Sequence, residues 1–218
     1  MLIIISKKYT IVANEPSFIF FGRGKLAKRS GEKFHDILEA AVKTFAQTGY
    51  HRTRVADIAR EAGVADGTVY IYFENKEDIL VSLFQDLMIR FVDDLCSELI
   101  QCGDANEKLK AIISYHLTTL GNRPEQAKVT QIELRQIDQT INEGISKPLK
   151  GYFNLLEEVI EEGKEQGLYR NEIDTRTARK VIFGGIDEVV TCWVMSGKPY
   201  SLATLSDSVY DLLVRGLR

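Results

Sequence analysis

Asp66, Gly67, Thr68, Tyr70, Ile71 and Tyr72 are what remains exposed once the apolar positions of their short segment are assigned to a core. Between Asp66 and Phe73, Val69 and Phe73 stand four apart and face inward on a helix, which leaves the other six as an outer face. An aspartate accepts from cytosine N4, an isoleucine meets a thymine methyl, and tyrosine hydroxyls suit phosphates. The chemistry on offer is base-edge and backbone contact in a DNA major groove. Asn75 then caps a further helix, with Lys76 in its first turn beside exposed amides that favour an anionic phosphate.

The elements that must position this face are legible on either side of it. Val55, Ile58, Ala59 and Ala62 recur at i, i+3, i+4 and i+7, so they share one helical face. Gly63 ends that helix with a residue suited to left-handed backbone, and Val64 packs back onto the same core. Two short amphipathic helices about a glycine turn, with a third starting at Lys76, are the layout of a helix-turn-helix. The competing reading is ordinary small-bundle packing of the same tyrosines and glycines. Upstream, Phe34, Ile37, Leu38, Ala41, Val42 and Phe45 predict a first helix over Glu32–Thr48, closed by Gly49. The three would form a small head.

At this point the chain resembles the TetR family of bacterial transcriptional repressors. Gly49-Tyr50, Thr53, Val55, Asp57-Ile58-Ala59, Ala62-Gly63-Val64, Gly67-Thr68-Val69-Tyr70, Tyr72-Phe73 and Asn75-Lys76-Glu77 fall at the family's spacing. Ala65 stands where the family often has a serine cap, and Arg54 where a serine or threonine often caps the preceding helix. Thr53 is expected to take over that second role, and the charge of Asp66 to offset the first loss. The resemblance implies a DNA-contacting set of Lys33, Thr53, Arg54, Asp66, Gly67, Thr68, Tyr70, Ile71, Tyr72 and Lys76.

Composition agrees once charge is read by position. The chain has 218 residues, is 44% hydrophobic and carries a net charge of −3, which is unpromising for a nucleic-acid partner. Residues 1–60, however, hold eleven Lys and Arg against five Asp and Glu, a net of +6, while residues 61–218 hold a net of −9. The positive end is the end that carries the helix-turn-helix. Arg23, Lys25, Lys28, Arg29 and Lys33 form a basic arm able to add salt-dependent phosphate attraction, although charge runs are usually solvated faces. Only four prolines and no long Gly/Ser tract argue against a flexible linker.

Cys96, Cys102 and Cys192 show no CxxC spacing and have no histidine close in sequence, so neither a disulfide framework nor a zinc site is expected. His35, His51 and His116 are scattered, no GxSxG, P-loop or HExxH is present, and catalysis is not expected. No apolar run approaches a membrane span, and Leu2–Ile5 is too short for a secretory core. A cytoplasmic protein with no membrane contact is the expectation. The first 21 residues have strand-like apolar stretches with no later strand to pair with. They read as the product of an upstream start codon or as a poorly ordered tail, and are set aside from the fold. Gly22-Arg23-Gly24-Lys25-Leu26-Ala27 after Phe18–Phe21 mimics a dinucleotide fingerprint, but helices rather than a strand-helix-strand unit follow it.

Beyond the head, Leu80, Leu83, Phe84, Leu87, Phe91, Leu95 and Leu99 continue one apolar stripe along a long connecting helix. Further helices are predicted at Ala105–Leu120, Pro124–Gln139, Pro148–Gln166, Thr175–Ser196 and Ser201–Leu217, with a break or kink near Gly144 and Pro148. The fold class is all-α: a basic arm over 1–29, a three-helix DNA-binding head over 30–76, and a helical ligand-binding and dimerisation bundle over 77–218. The resemblance implies a homodimer whose four-helix interface uses Tyr152–Gly163 and Ala178–Ser196, with two heads on a palindromic double-stranded operator. Gly184-Gly185 in the second of these helices either permits close helix approach or relieves crowding within one subunit.

The runs Val129–Gln136 and Val181–Met195 resemble the FadR branch of the family, repressors of fatty-acid degradation that respond to long-chain acyl-CoA. That branch implies no cofactor but an effector ligand, an apolar tunnel for an acyl chain and cations for the CoA phosphates. Arg135, Arg90 and Lys150 are assigned to phosphates, Gln131 to the thioester, and Phe91, Phe183 and Trp193 to the chain. For Arg135 a pair with Glu133 or Asp138 on a solvated helix is the competing reading. A repressor of an efflux or other operon sensing a different lipophilic molecule is the alternative; it would need buried acids such as Asp187 or Glu188. An enzyme acting on acyl-CoA is the third reading, with no catalytic constellation behind it.

Overall fold

Periodic burial accounts for most of the architecture. In the computed structural model, Phe34, Ile37, Leu38, Ala41, Val42 and Phe45 bury one face of α1, Glu32–Thr48. The structure describes residues 2–6, 9–12, 31–133, 135, 139–197 and 200–218. After α1 come α2 (Val55–Glu61), α3 (Asp66–Tyr72), α4 (Lys76–Leu99), α5 (Ala105–Gly121), α6 (Pro124–Glu133), α7 (Gln139–Glu165), α8 (Thr175–Ser196) and α9 (Ser206–Leu217). A 3-10 turn at Leu202–Leu205 leads into α9. Among the described residues the fold is all-α outside a hairpin at the start, where Leu2–Ser6 pairs antiparallel with Tyr9–Val12. The apolar stretches there find partners in each other, across a connection short enough to need no later strand. The arm residues Arg23, Lys25, Lys28 and Arg29, the dinucleotide-like Gly22–Ala27 and Asp138 lie outside the described residues.

Packing divides the chain into two compact units, with boundaries after Ile89, Arg123 and Pro148. The first unit holds α1, α2, α3, the first part of α4, α6 and the start of α7. Phe34 stacks on Phe73 at 5.2 Å between ring centroids, and Ile37, Phe45, Ile58, Val69, Leu80 and Leu83 close the core around them. Val129 of α6 and Ile145 of α7 belong to that same core. Gly144 is required beside it: a Cβ there would lie 2.7 Å from a methyl of Val81.

The other unit packs α5, the later part of α7, α8 and α9. Leu109, Ile112, Ile113 and Leu117 of α5 and Tyr152, Leu156, Val159 and Ile160 of α7 are buried, as are Ile182, Ile186 and Val190 of α8. Asp104 and Asp174 cap α5 and α8 by accepting from the amides of Glu107 and Thr177 at 2.9 and 2.8 Å. Lys108 joins α5 to α7 through Glu162 at 2.7 Å.

Two expectations need correction. The helix predicted from Pro148 begins at Gln139 and runs through the proline. Proline removes one intrahelical bond, and the helix carries the buried Ile145 in the turn before it. The helix predicted from Pro124 ends at Glu133 rather than Gln139. On α7, Tyr152, Leu155, Leu156, Val159 and Ile160 are buried within this chain. α8 and α9 leave Val181, Met195 and Leu212 uncovered, at 60%, 74% and 76% exposure.

Candidate functional site

The helix-turn-helix is built by a capped turn. Gly63 takes φ 67°, its amide donates to Arg60 O at 3.2 Å, and Val64 N–H donates to Ala59 O at 3.0 Å. These are the two bonds of a Schellman ending, and a side chain at Gly63 would strain the left-handed backbone they need. At the start of α2, Asp57 accepts from the amide of Arg54 at 3.0 Å, and this bond, helped by Arg60 at 2.8 Å, holds its carboxyl below the usual range. Thr53 is not the cap: it is 2% exposed, and its hydroxyl bonds Thr48 Oγ1 at 2.6 Å and Gly49 O at 2.9 Å. α3 starts at Ala65 with no side-chain cap and Asp66 in its first turn.

On α3, Val69 and Phe73 are fully buried while Asp66, Gly67, Tyr70 and Ile71 are exposed. Tyr70 and Ile71 stand 57% and 77% in solvent, a large apolar exposure for a short helix. Thr68 is half-buried, and so is Tyr72, whose ring lies 6.3 Å from that of Phe34. Lys33 and Arg54 are exposed at the starts of α1 and α2. Asn75 caps α4 by accepting from Asp78 N–H at 2.7 Å. Lys76 turns inward: its ammonium donates to Tyr50 O at 2.9 Å, His51 O at 3.3 Å and Thr53 O at 3.0 Å, over the Tyr50 ring.

The expected ligand residues divide between the two units. In the unit of α5 and α8, Phe91 and Phe183 are both brought onto Tyr152, at 5.4 and 6.1 Å between ring centroids, with Tyr115 and Phe153 completing an aromatic cluster. Arg90 and Lys150 are exposed there. Trp193 lies about 15 Å further along α8 than Phe183 at 1.5 Å per residue, and its indole N–H donates to Tyr200 O at 2.9 Å. In the unit of α6, Gln131 is buried, and the Arg135 guanidinium folds back onto the Gln131 carbonyl. Glu133, the suggested partner of Arg135, accepts from Tyr50 N–H at 3.4 Å. Asp187 is half-buried and Glu188 exposed, so neither is the buried acid that a cationic ligand would need.

Periodicity missed a buried polar pair. His116 Nδ1 lies 3.0 Å from the Tyr152 hydroxyl, with the Phe91 ring edge-on to both. Burial holds His116 down at about 4 and pushes the Tyr152 phenol up, so both are neutral near pH 7. The available signal was the position of His116 on the apolar face of Leu109, Ile112, Ile113, Leu117 and Leu120.

The class defined by this geometry is a helix-turn-helix DNA-binding protein with a helical body whose interior is aromatic. Residues 37–83 match the family of bacterial regulatory proteins of the tetR family, and residues 84–216 match the C-terminal region of YsiA-like proteins. The chain belongs to the TetR family. It is 45% identical over 190 residues to the fatty acid metabolism regulator protein of Bacillus subtilis (strain 168), covering 87% of this chain and 98% of that one. Two solved structures superpose with a TM-score of 0.82, covering 85% of this chain and all of theirs. They are the fatty acid degradation regulator FadR of Bacillus halodurans, at 49% identity, and FadR of Bacillus subtilis in complex with stearoyl-CoA, at 45%. These relatives are transcriptional regulators rather than enzymes. Among the described residues no helix is long and apolar enough to cross a membrane.

Proposed function

We propose that this protein is a cytoplasmic homodimeric repressor of fatty-acid degradation genes, bound to a palindromic operator and released by a long-chain acyl-CoA. The observation that carries the reading is the 45% identity across nearly the whole length of a fatty acid metabolism regulator, together with stearoyl-CoA in a FadR structure of equal identity. Residues 30–76 serve as the DNA-binding head and 77–218 as the ligand-binding and dimerisation body. Asp66, Gly67, Thr68, Tyr70, Ile71 and Tyr72 read the groove, with Lys33 and Arg54 on phosphates. The aromatic interior around Phe91 and Phe183 takes the acyl chain, and Arg90 and Lys150 of the same unit take the CoA phosphates. Trp193 is left to α8 packing.

The dimer forms through α8 and α9. Val181, Met195 and Leu212 supply an uncovered apolar face. A Cβ at Gly184 would touch nothing within 4 Å and one at Gly185 would make ordinary contact with Leu213, so the glycines relieve no crowding within the subunit. Close approach of a second α8 is the remaining physical reason for them. Acyl-CoA shifts the population from a pair of heads spaced for two half-sites to another spacing, a coupling of roughly 1–3 kcal/mol.

The test is fluorescence anisotropy with a palindrome taken from upstream of the protein's own gene, titrated with palmitoyl-CoA and separately with free CoA. Release by palmitoyl-CoA alone is expected. DNA binding that no acyl-CoA shifts would overturn the effector assignment and leave the repressor.

A further inference from the structure

We propose that Lys76 is a positioning residue rather than a phosphate contact, and that Lys76 and Glu133 clamp the Gly49–Thr53 turn from two sides, so that DNA affinity depends on a buried carboxylate of α6. The proposal rests on the reading of the head as the DNA-binding element and adds a device that holds it in shape.

An ammonium has three N–H donors and no acceptor. All three of Lys76 are accounted for, by the carbonyls of Tyr50, His51 and Thr53 at 2.9, 3.3 and 3.0 Å. The cation also stands 4.4 Å from the centroid of the Tyr50 ring. To reach a phosphate it would have to abandon carbonyls that converge on one point. Those carbonyls belong to the turn that delivers α2, whose N-cap is Arg54, one residue after Thr53.

From the opposite side, Glu133 accepts from the amide of Tyr50, and it is only 4% exposed. The Tyr50 side chain is itself buried, 5.4 Å from the Phe45 ring. Val129, one turn back along α6, sits in the head core. The turn is thus held through its amide by α6 and through its carbonyls by α4. A shift of either helix would be felt where the helix-turn-helix begins.

The test separates this clamp from electrostatics by the sign of the effect. Glu133→Ala removes a negative charge, so Coulomb repulsion alone predicts tighter DNA binding; the clamp predicts roughly tenfold weaker binding from the lost bond. Glu133→Gln removes the same charge but keeps an acceptor oxygen, and stays within about twofold of the parent. Lys76→Arg keeps the charge, but its planar fork cannot converge on three carbonyls, and it weakens binding roughly tenfold with an unchanged salt slope. A phosphate contact would leave Lys76→Arg at parental affinity. Parental affinity in Lys76→Arg, or tighter binding in Glu133→Ala, overturns the proposal.

Hydrogen exchange at the Tyr50 amide, measured without DNA, is the second readout. Faster exchange in Glu133→Ala but not in Glu133→Gln is expected, and equal protection in all three proteins overturns the clamp. A parent that ignores the chosen operator counts against that operator alone, because exchange and binding to an unrelated duplex still test the clamp.

Discussion

The head and the body use their side chains in opposite ways. On α3, Tyr70 and Ile71, both proposed to meet DNA, stand in solvent while Val69 and Phe73 hold the core. In the body, Phe91, the proposed acyl-chain contact, is inside with His116 and Tyr152, and the three help to hold the unit together. The head can therefore lose function without losing stability, whereas in the body the two are bound together. Elimination finds a functional surface of the first kind, and cannot separate a functional interior from an ordinary core.

The largest effect expected from this contrast is in the head. Replacing Tyr70 and Ile71 together with alanine should weaken operator binding about 1,000-fold while leaving the thermal midpoint unchanged, because two groove contacts are lost and no packing is. A drop in midpoint of several degrees would break the contrast. Anisotropy and calorimetry on the same sample decide it.

Next is the acid sensitivity of the body. His116 is neutral in the fold down to about pH 4, whereas in the unfolded chain it takes up a proton near 6.5. Between those values the unfolded state binds more protons, so stability falls as pH is lowered, by about 3 kcal/mol from this group. His116→Gln should flatten the fall of the denaturation midpoint between pH 6.5 and 4.5. A profile parallel to the parent's would show that His116 is not the group responsible.

Leu212→Glu places a charge on the exposed face of α9 and should shift the protein from dimer to monomer in sedimentation at micromolar concentration, with little change in helix content. A dimer that survives would move the interface away from α9. A smaller change, about 1 kcal/mol, is expected for Gly63→Ala, which strains one left-handed residue of the turn. Smallest of all is Lys43→Gln, which breaks an exposed pair with Glu61 at 3.3 Å and should cost under about 0.5 kcal/mol by urea titration.

Where the sequence was legible, short-range periodicity was enough. The spacing of Val55, Ile58 and Ala59, the Gly63 ending and the Asn75 cap set α2, the turn and the start of α4 within a few residues of one another. The bond between Tyr50 and Glu133 joins residues 83 positions apart, and no local pattern carries it. The three carbonyls that hold Lys76 are hidden for a related reason: its place in a first turn suits a phosphate, and only the fold of the preceding turn brings those acceptors to it. His116 sat on an apolar face that reads as plain core, because its partner Tyr152 arrives on another helix. Pro148 looked like a helix start because its lost hydrogen bond is visible in sequence and the tertiary burial of Ile145 beside it is not.

The presence of Val129 and Ile145 in the head core also sets an order of events during synthesis. A nascent chain emerges from its N-terminal end, so α1, α2 and α3 leave the ribosome well before the two residues that finish their interior. Until some sixty further residues have followed Ile89, part of that interior is open to water and to chaperones. Recognition helices thus become fully supported only when much of the body has been made, which favours complete chains over fragments as competitors for the operator.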